Sequence, residues 1–239
     1  MAGSDWELRK KLAEACRILD REGLGEHFGH VSARASDRKS ILLSPRLPMG
    51  LVKGPADILR VSMGGTVYKV PARGGKSAPA LPKLSPPREL FAHTEIYRIR
   101  PDVNAICRIQ GPFALALSAL RRPVRPLWSA AAALGREIPV FDSAEPVGTP
   151  AAGHRMARLL GAGRALLLRG NGQIAVGASV EEAVVNAIVL EAAAAAQWRA
   201  ECLGDPLWIE GEEYARQAKP DAADLELLWN YYHSRSKSR

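Results

Sequence analysis

The chain has 239 residues, of which 47% are hydrophobic and 24% are charged. This composition is typical of a globular protein with a sizeable core and excludes disorder throughout. At about 150 residues per domain, one large domain or two small ones are open. No apolar run approaches the roughly 18 residues of a membrane-spanning helix, and the first residues lack the pattern of a secretory signal. We therefore expect a protein that is neither secreted nor inserted in a membrane.

The charge and the cysteines narrow the class of protein further. The net charge is +8, but the basic residues are scattered, and only residues 233–239 form a basic tail. Since no zinc finger or aromatic-basic stripe accompanies this charge, we do not expect nucleic-acid binding. The surplus of positive charge favours a solvated surface or a small anionic ligand instead. The three cysteines, Cys16, Cys107 and Cys202, are widely spaced and odd in number. They indicate reduced thiols and a cytoplasmic location.

The first half of the chain begins with a helix and continues with short strands. Ser4 and Glu7 form a capping box, and apolar residues at helical spacing follow until Gly23. Strands are predicted at residues 30–34, 40–43, 58–61 and 66–70. Residues 71–87 carry five prolines and two adjacent glycines, which predict a loop because proline removes hydrogen-bond donors.

The second half alternates helices and strands. Its predicted helices are residues 88–100, 113–120, 150–160, 179–202 and 222–232, and its predicted strands are residues 105–109, 138–141, 164–168 and 173–176. No linker interrupts the alternation, so residues 1–239 are interpreted as a single α/β domain.

Four segments resemble the class II aldolase/adducin family: residues 23–34, residues 89–103, residues 105–120, and residues 167–172 with 176–183. The resemblance implies a three-layer α/β/α fold with a central, largely antiparallel sheet and a homotetramer with sites between subunits. It also implies a divalent metal, held by a His-x-His pair and a third His, and a Glu that acts as acid and base. In such a site the metal stabilises an enediolate while the carboxylate moves a proton.

The three positions of the metal ligands depart from the pattern of the family. Arg108 and Gln110 occupy the His-x-His positions, with Ile109 between them, and Asn171 occupies the third. Strand alternation places the first two side chains on one face. Arginine cannot ligate a metal, and amide oxygens are weak zinc ligands. We therefore predict neither a metal nor another cofactor. A metal site built from His27, His30 and His93 is an alternative.

Three residues are predicted to be catalytic. Glu89 lies where the acid/base Glu of the family falls, although a carboxylate at a helix start is also favoured by the helix dipole. Arg108 would supply the positive charge of the missing metal. His30 stands where many members carry Asn, and its alternative role is to cap the turn beside it.

Eight further residues are predicted to bind substrate: Gly29, Ser32, Arg88, His93, Gln110, Asn171, Tyr231 and Tyr232. Five of them have a structural alternative. His93 could lie in the core, Arg88 could be a solvated charge, and Asn171 could serve only a hairpin turn. The two tyrosines fall where C-terminal tyrosines of the family reach a neighbouring site, but packing of an amphipathic helix also explains them.

The leading hypothesis for function is a metal-independent lyase acting on a small anionic carbonyl or hydroxy acid. Carbon–carbon cleavage, decarboxylation and dehydration would all pass through an enolate-like state, stabilised by Arg108 and protonated through Glu89. We further expect the fold to survive Arg108→Ala, or to gain stability, because solvent would reach Glu89. The alternative is a non-catalytic, adducin-like scaffold, since a fold alone does not establish activity.

The resemblance and the small residues at 191–196 predict a homo-oligomer, with a tetramer as the expected state. Light scattering at micromolar protein should then give about four times the 25.8 kDa mass of one chain. A mass of a single chain would contradict this expectation.

Overall fold

A mixed but mainly antiparallel sheet forms the middle layer of the computed structural model, which describes residues 2–25, 28–68, 84–219 and 221–237. The strands are His30–Arg34 (β1), Ser40–Leu43 (β2), Leu59–Ser62 (β3), Val67–Tyr68 (β4), Ala105–Ile109 (β5), Val140–Phe141 (β6), Ala165–Leu168 (β7) and Gly172–Gly177 (β8). Their order across the sheet is β4-β3-β2-β1-β5-β8-β7-β6. The β6–β7 pair is parallel and the other neighbouring pairs are antiparallel.

Helices cover both faces of this sheet. They are Ala2–Arg21 (α1), Leu90–Ile99 (α2), Pro112–Ala119 (α3), Ser129–Ala132 (α4), Pro150–Leu160 (α5), Val180–Leu203 (α6), Gly211–Gln217 (α7) and Ala222–Lys237 (α8). One core lies between the sheet and α1 with α6, and a second lies between the sheet and α2 with α5. The predicted three-layer α/β/α architecture is therefore confirmed. None of the helices in the described ranges combines the length and the apolar character needed to cross a membrane.

The alternation of the two central strands decides which residues face α2. On β5, Ala105, Cys107 and Ile109 belong to the core under α1 and α6, whereas Ile106 belongs to the core under α2. Arg108 follows the alternation of Ile106 and points toward α2. Its partner in the register of β1 is His30. The side chain of Arg108 therefore lies on the opposite face of β5 from Cys107 and Ile109, as strand alternation predicts.

Most predicted elements are confirmed, several with the same bounds. The described residues also contain three helical segments that the sequence did not predict: a 3-10 helix at Met49–Leu51, α4 and α7. The strand predicted from residue 138 begins at Val140. Pro139 precedes it, and proline has no N–H for a ladder bond. Residues 71–83 of the predicted loop and His27 lie outside the described residues.

The structure bears on two predictions about the surface, the basic tail and the small residues at 191–196. Residues 233–237 of the predicted basic tail belong to α8, which continues to Lys237. His233 contacts Glu14 of α1, and Arg235 Nε lies 3.2 Å from Oε1 of Glu22, which directly follows α1. The small residues near 191–196 include Ala193, Ala194 and Ala195, which are buried against the other elements of the same chain. They therefore give no support to a contact between subunits.

Gly172 closes the hairpin between β7 and β8 under tight steric limits. Its φ is 90°, and a Cβ there would overlap the carbonyl oxygen of Ile109 and lie 2.8 Å from Gln110 Cα. Gly170, in the same turn, has a φ of 65° but nothing within 4 Å of a Cβ. The turn therefore approaches the end of β5 more closely at residue 172 than a side chain would allow.

We expect Gly172→Ala to lower the free energy of unfolding by more than about 3 kcal/mol, since it adds a backbone clash to left-handed strain. The matched variant Gly170→Ala should cost only about 1–2 kcal/mol, for the strain alone. Urea unfolding of both variants measures the difference. Equal losses would contradict the close approach.

Candidate active site

A pocket of about 270 Å³ opens on the α2 side of the sheet, where β1 begins and β5 ends. The start of α2 and the turn between β7 and β8 complete its wall. Apolar and charged side chains both contribute to it, and the arginines Arg46 and Arg88 are exposed. The lining residues are Phe28, Gly29, His30, Arg46, Leu47, Pro87, Arg88, Glu89, Arg108, Gln110, Pro146 and Asn171.

A buried ion pair forms the floor of the pocket. Arg108 Nη2 lies 2.8 Å from Glu89 Oε2, and the two side chains are only 1% and 8% exposed. Arg108 Nη1 donates to the carbonyl oxygen of Phe28 at 3.0 Å. A charge in such a position needs a partner and further hydrogen bonds, because water no longer solvates it. Arg108 and Glu89 each supply the other with this partner.

Asn171 connects the two charges through its side-chain amide. Its Nδ2 donates to Glu89 Oε1 at 2.6 Å, while its Oδ1 accepts from Arg108 and, at 3.2 Å, from Gln110 Nε2. Glycines with positive φ on both sides, Gly170 and Gly172, direct the turn toward the pocket. The predicted hairpin turn is confirmed, and the same turn brings Asn171 to the pocket wall.

Glu89 lies at the start of α2, where the helix dipole also favours a carboxylate, and this structural alternative therefore stays open. It occupies the position before Leu90, but its side chain makes no capping hydrogen bond. Burial by itself raises the pKa of Glu89, but the contact with His30, the Arg108 charge and the Asn171 amide outweigh burial and lower it to about 2. Glu89 is therefore ionised at neutral pH.

His30 and His93 are both neutral in this environment. Burial lowers the pKa of His30, and the charge of Arg108 lowers it further, against the opposing effect of Glu89. Burial, His30 and Arg108 together lower the pKa of His93 well below its usual value. The His30 ring lies at the pocket, with Nε2 at 3.6 Å from Glu89 Oε2, and Nδ1 faces His93 Nε2 at 2.6 Å. His93 is fully buried behind it.

The structure brings most of the predicted site residues together. Seven of them line the pocket: Gly29, His30, Arg88, Glu89, Arg108, Gln110 and Asn171. Ser32 and His93 are fully buried and do not line it. Tyr232 packs against the core under α1, and Tyr231 is half exposed on α8, so neither lines the pocket of its own chain.

Sequence reasoning missed Arg46, together with Leu47 and Pro146. A signal for Arg46 existed in the strand pairing. Ser32 pairs with Leu43 in an antiparallel register, which brings the residues after β2 beside those that precede β1. Pairing the two predicted strands would therefore have placed Arg46 near Gly29.

The donors at the three metal positions do not fit a divalent metal. Arg108 brings a buried positive charge, and the Asn171 oxygen already accepts from Arg108 and Gln110. Amide oxygens alone are weak ligands for zinc. In the described part of the chain, no group of three His, Cys, Asp or Glu residues could hold a metal ion. In the alternative site, His30 Nδ1 and His93 Nε2 face each other and not a common ion.

The expectation that Arg108→Ala preserves or raises stability does not fit this geometry. It assumed that solvent reaches Glu89, but Glu89 is only 6% exposed. Removing the guanidinium would leave a carboxylate that is buried and has lost its counter-charge. We therefore expect this variant to be destabilised.

Comparisons with known proteins agree with the fold. Residues 10–198 match the model of the Class II Aldolase and Adducin N-terminal domain. A 3,4-dihydroxyphthalate decarboxylase from Terrabacter sp. is 30% identical over 203 residues, which are 81% of this chain and 81% of that protein. One from Arthrobacter keyseri is 32% identical over 193 residues, 77% of this chain and 74% of that protein.

Solved structures support the same assignment. An L-fuculose 1-phosphate aldolase from Glaciozyma antarctica superposes with a TM-score of 0.80 at 23% identity, covering 98% of this chain and 90% of that chain. At this identity the likeness concerns the fold. The domain match and the relatives show that the chain belongs to the class II aldolase and adducin family.

The depressed pKa of Glu89 predicts acid sensitivity. An unfolded Glu has a pKa of about 4.3, so ionised Glu89 stabilises the fold above that pH, and this contribution disappears as the pH falls toward 2. Its size is on the order of 3 kcal/mol. Near neutral pH, Glu89→Gln should be less stable than wild type by about 3–5 kcal/mol, because Arg108 loses its counter-charge.

The gap between wild type and Glu89→Gln should narrow as the pH is lowered from 5 to about 2. Urea unfolding of both proteins at a series of pH values measures it. A gap that stays constant across this range would contradict the assigned ionisation.

Proposed function

We propose that this protein is a decarboxylase for a small, hydroxylated aromatic carboxylic acid, and that it works without a divalent metal at the Arg108, Gln110 and Asn171 positions. The observation that carries the proposal is the buried Glu89–Arg108 ion pair facing a pocket of matching size. The relatives named 3,4-dihydroxyphthalate decarboxylase support the reaction and the substrate class. Among the lyase reactions considered above, they favour decarboxylation over aldol cleavage and dehydration.

The lining of the pocket suits a flat, anionic ring. Phe28, Leu47, Pro87 and Pro146 offer apolar surface for the ring. The exposed Arg46 and Arg88 at the same pocket can bind carboxylate, since a guanidinium offers two parallel N–H donors. Both arginines remain solvated without substrate, so their desolvation cost is small compared with that of Arg108.

Glu89 moves the proton in the proposed reaction. Its carboxylate takes the proton of a substrate hydroxyl beside the carboxylate that will leave. Electron density then rises on the ring carbon that bears this carboxylate, and Glu89 returns the proton to that carbon. The carbon–carboxylate bond breaks, its electron pair returns to the ring, and CO₂ leaves. The product phenolate takes a proton from water, and Glu89 is again ionised.

Arg108 stabilises the negative charge on the substrate oxygen during these steps. Its guanidinium is fixed by Glu89, Asn171 and the carbonyl of Phe28, so no reorganisation is needed as the charge develops. When Glu89 is protonated in the middle of the reaction, the Arg108 charge is no longer neutralised and acts fully on the phenolate. The ion pair thus makes the positive charge available when the substrate becomes most negative.

A non-catalytic scaffold is a weaker explanation of the same site. Replacing a buried ion pair by apolar side chains is often neutral or stabilising, so stability alone does not explain why this chain has one. A site that had lost its function would gain nothing from two buried charges beside a cavity. We therefore favour the enzyme over the scaffold.

The oligomeric state and the location complete the proposal. We propose a homotetramer, as the family resemblance implies, in which Tyr231 of one subunit approaches the pocket of another, whereas Tyr232 packs in its own chain. The partly exposed Tyr231 and the exposed Leu203 and Leu207 are available for such contacts. A cytoplasmic location is supported by the free thiols of Cys16, Cys107 and Cys202.

The experiment uses protein dialysed against EDTA, with its metal content measured. We expect it to release CO₂ from 3,4-dihydroxyphthalate or from a hydroxybenzoate with a neighbouring hydroxyl. Glu89→Gln and Arg108→Lys should each lower turnover by about 100- to 1000-fold. The matched control is Glu95→Gln, which removes a buried carboxylate that lies on the same helix but pairs with Arg98.

Two results would count against the proposal. Activity that disappears with EDTA and returns with zinc would overturn the metal-free mechanism. If the folded protein releases no CO₂ from any of these acids, the reaction is wrong and the scaffold becomes the better explanation.

A further inference from the structure

Four buried polar side chains form a hydrogen-bonded chain behind the pocket. His30 Nδ1 lies 2.6 Å from His93 Nε2, His93 Nδ1 lies 2.7 Å from Ser32 Oγ, and Ser32 Oγ lies 2.9 Å from the Tyr97 hydroxyl. None of the four residues is more than 3% exposed. They occupy space between β1 and α2 where the neighbouring core is apolar. Buried polar groups are costly unless every donor finds an acceptor, so the direction of each hydrogen bond matters.

The pocket end of this chain fixes the direction of the bonds. Glu89 is ionised and can only accept, and its Oε2 faces His30 Nε2 at 3.6 Å. A neutral imidazole has one N–H and one bare nitrogen. If the bare nitrogen of His30 were Nε2, its lone pair would face the carboxylate. The proton of His30 therefore lies on Nε2, and Nδ1 is the acceptor.

The remaining bonds follow from this one assignment. His93 must donate from Nε2 to His30, so its bare Nδ1 accepts from the hydroxyl of Ser32. Ser32 Oγ then accepts from Tyr97. The Tyr97 end of the hydrogen-bonded series is consistent with this direction. Within the described residues, Ser32 is the hydrogen-bond partner of the Tyr97 hydroxyl, so this hydroxyl must donate to Ser32. Each of the four groups thus donates toward the pocket.

We propose that His93, Ser32 and Tyr97 are positioning residues that hold His30 in one tautomer, with its Nε2–H directed into the pocket as a donor to a substrate oxygen. Nε2 of His30 is buried and has no hydrogen-bond partner among the described residues, because 3.6 Å to Glu89 is too long. It is thus an unused donor beside the catalytic carboxylate. The oxygen it would meet is a carboxylate or hydroxyl oxygen of the substrate, which is the part of this inference that rests on the proposed function.

The tautomers can be measured without any substrate. Long-range ¹H–¹⁵N correlation spectra of the full chain, labelled with ¹⁵N-histidine and recorded near neutral pH, distinguish a protonated from a bare ring nitrogen. The chain has five histidines, and loss of signals in His30→Gln and His93→Gln assigns the two that matter. We expect both residues to show a protonated Nε2 and a bare Nδ1. A proton on Nδ1 of either residue, or on both nitrogens of His30, would overturn the proposal.

Variants that lack the hydroxyl group of Ser32 or Tyr97 test whether the four hydrogen-bonded side chains act as a unit. Ser32→Ala removes the donor to His93, so the Nδ1 signal of His93 should move toward that of a nitrogen without a hydrogen bond. Tyr97→Phe should move it in the same direction by a smaller amount, and this variant serves if Ser32→Ala does not fold. The matched control is Thr94→Val, which removes a buried hydroxyl beside His93 that has no partner among the described residues.

Thr94→Val should leave both histidine patterns as in wild type. An unchanged His93 Nδ1 signal in both Ser32→Ala and Tyr97→Phe would overturn the chain as the positioning device. Because these spectra contain no substrate, a failure to observe decarboxylation would count against the proposed function alone.

Discussion

The ion pair between Arg108 and Glu89 is the interaction on which the arrangement of this site depends. Two charges that are almost fully removed from water are tolerated only as a pair with further hydrogen bonds. Four parts of the chain meet these requirements: β5 carries the cation, the start of α2 carries the anion, the turn after β7 supplies Asn171, and the backbone at Phe28 supplies a carbonyl. Displacement of any one of them would cost a buried charge its counter-charge or one of its hydrogen bonds. The pair therefore fixes the relative positions of segments that are far apart in sequence.

The face of β1 that points toward α2 is polar, which is unusual for a central strand. β1 is a central strand, yet His30, Ser32 and Arg34 alternate with apolar Val31 and Ala33. Alternation directs these polar side chains toward α2, where His93 and Tyr97 form hydrogen bonds with Ser32. Arg34 completes the layer by donating to the carbonyls of Tyr97 and Arg100. One face of the strand thus packs as an ordinary hydrophobic core, and the other face supports the pocket with a network of hydrogen bonds.

Much of the fold was predictable because its signals are local. Apolar periodicity, capping residues and glycine turns located most helices and strands, and strand alternation placed Arg108 and Gln110 on one face. The proximity of Glu89 came from the family resemblance, since no local rule connects the start of α2 with β5. Contacts between distant residues, such as His30 with His93, were outside the reach of sequence patterns. The extension of α8 was missed because its basic residues were interpreted as solvated, whereas Glu14 on α1 and Glu22 directly after α1 pair with His233 and Arg235.

The double use of Asn171 has a consequence for how such a pocket evolves. Its amide nitrogen donates to Glu89 while its oxygen accepts from Arg108, so this one side chain forms hydrogen bonds with two opposite charges. Asn171→His alone would disturb both, and Arg108→His alone would leave Glu89 facing a weaker cation that can lose its proton. Either of these substitutions toward a metal ligand would therefore weaken the interactions of a buried charge. We therefore expect single replacements of Arg108 or Asn171 to be unfavourable, which would tend to preserve both residues together.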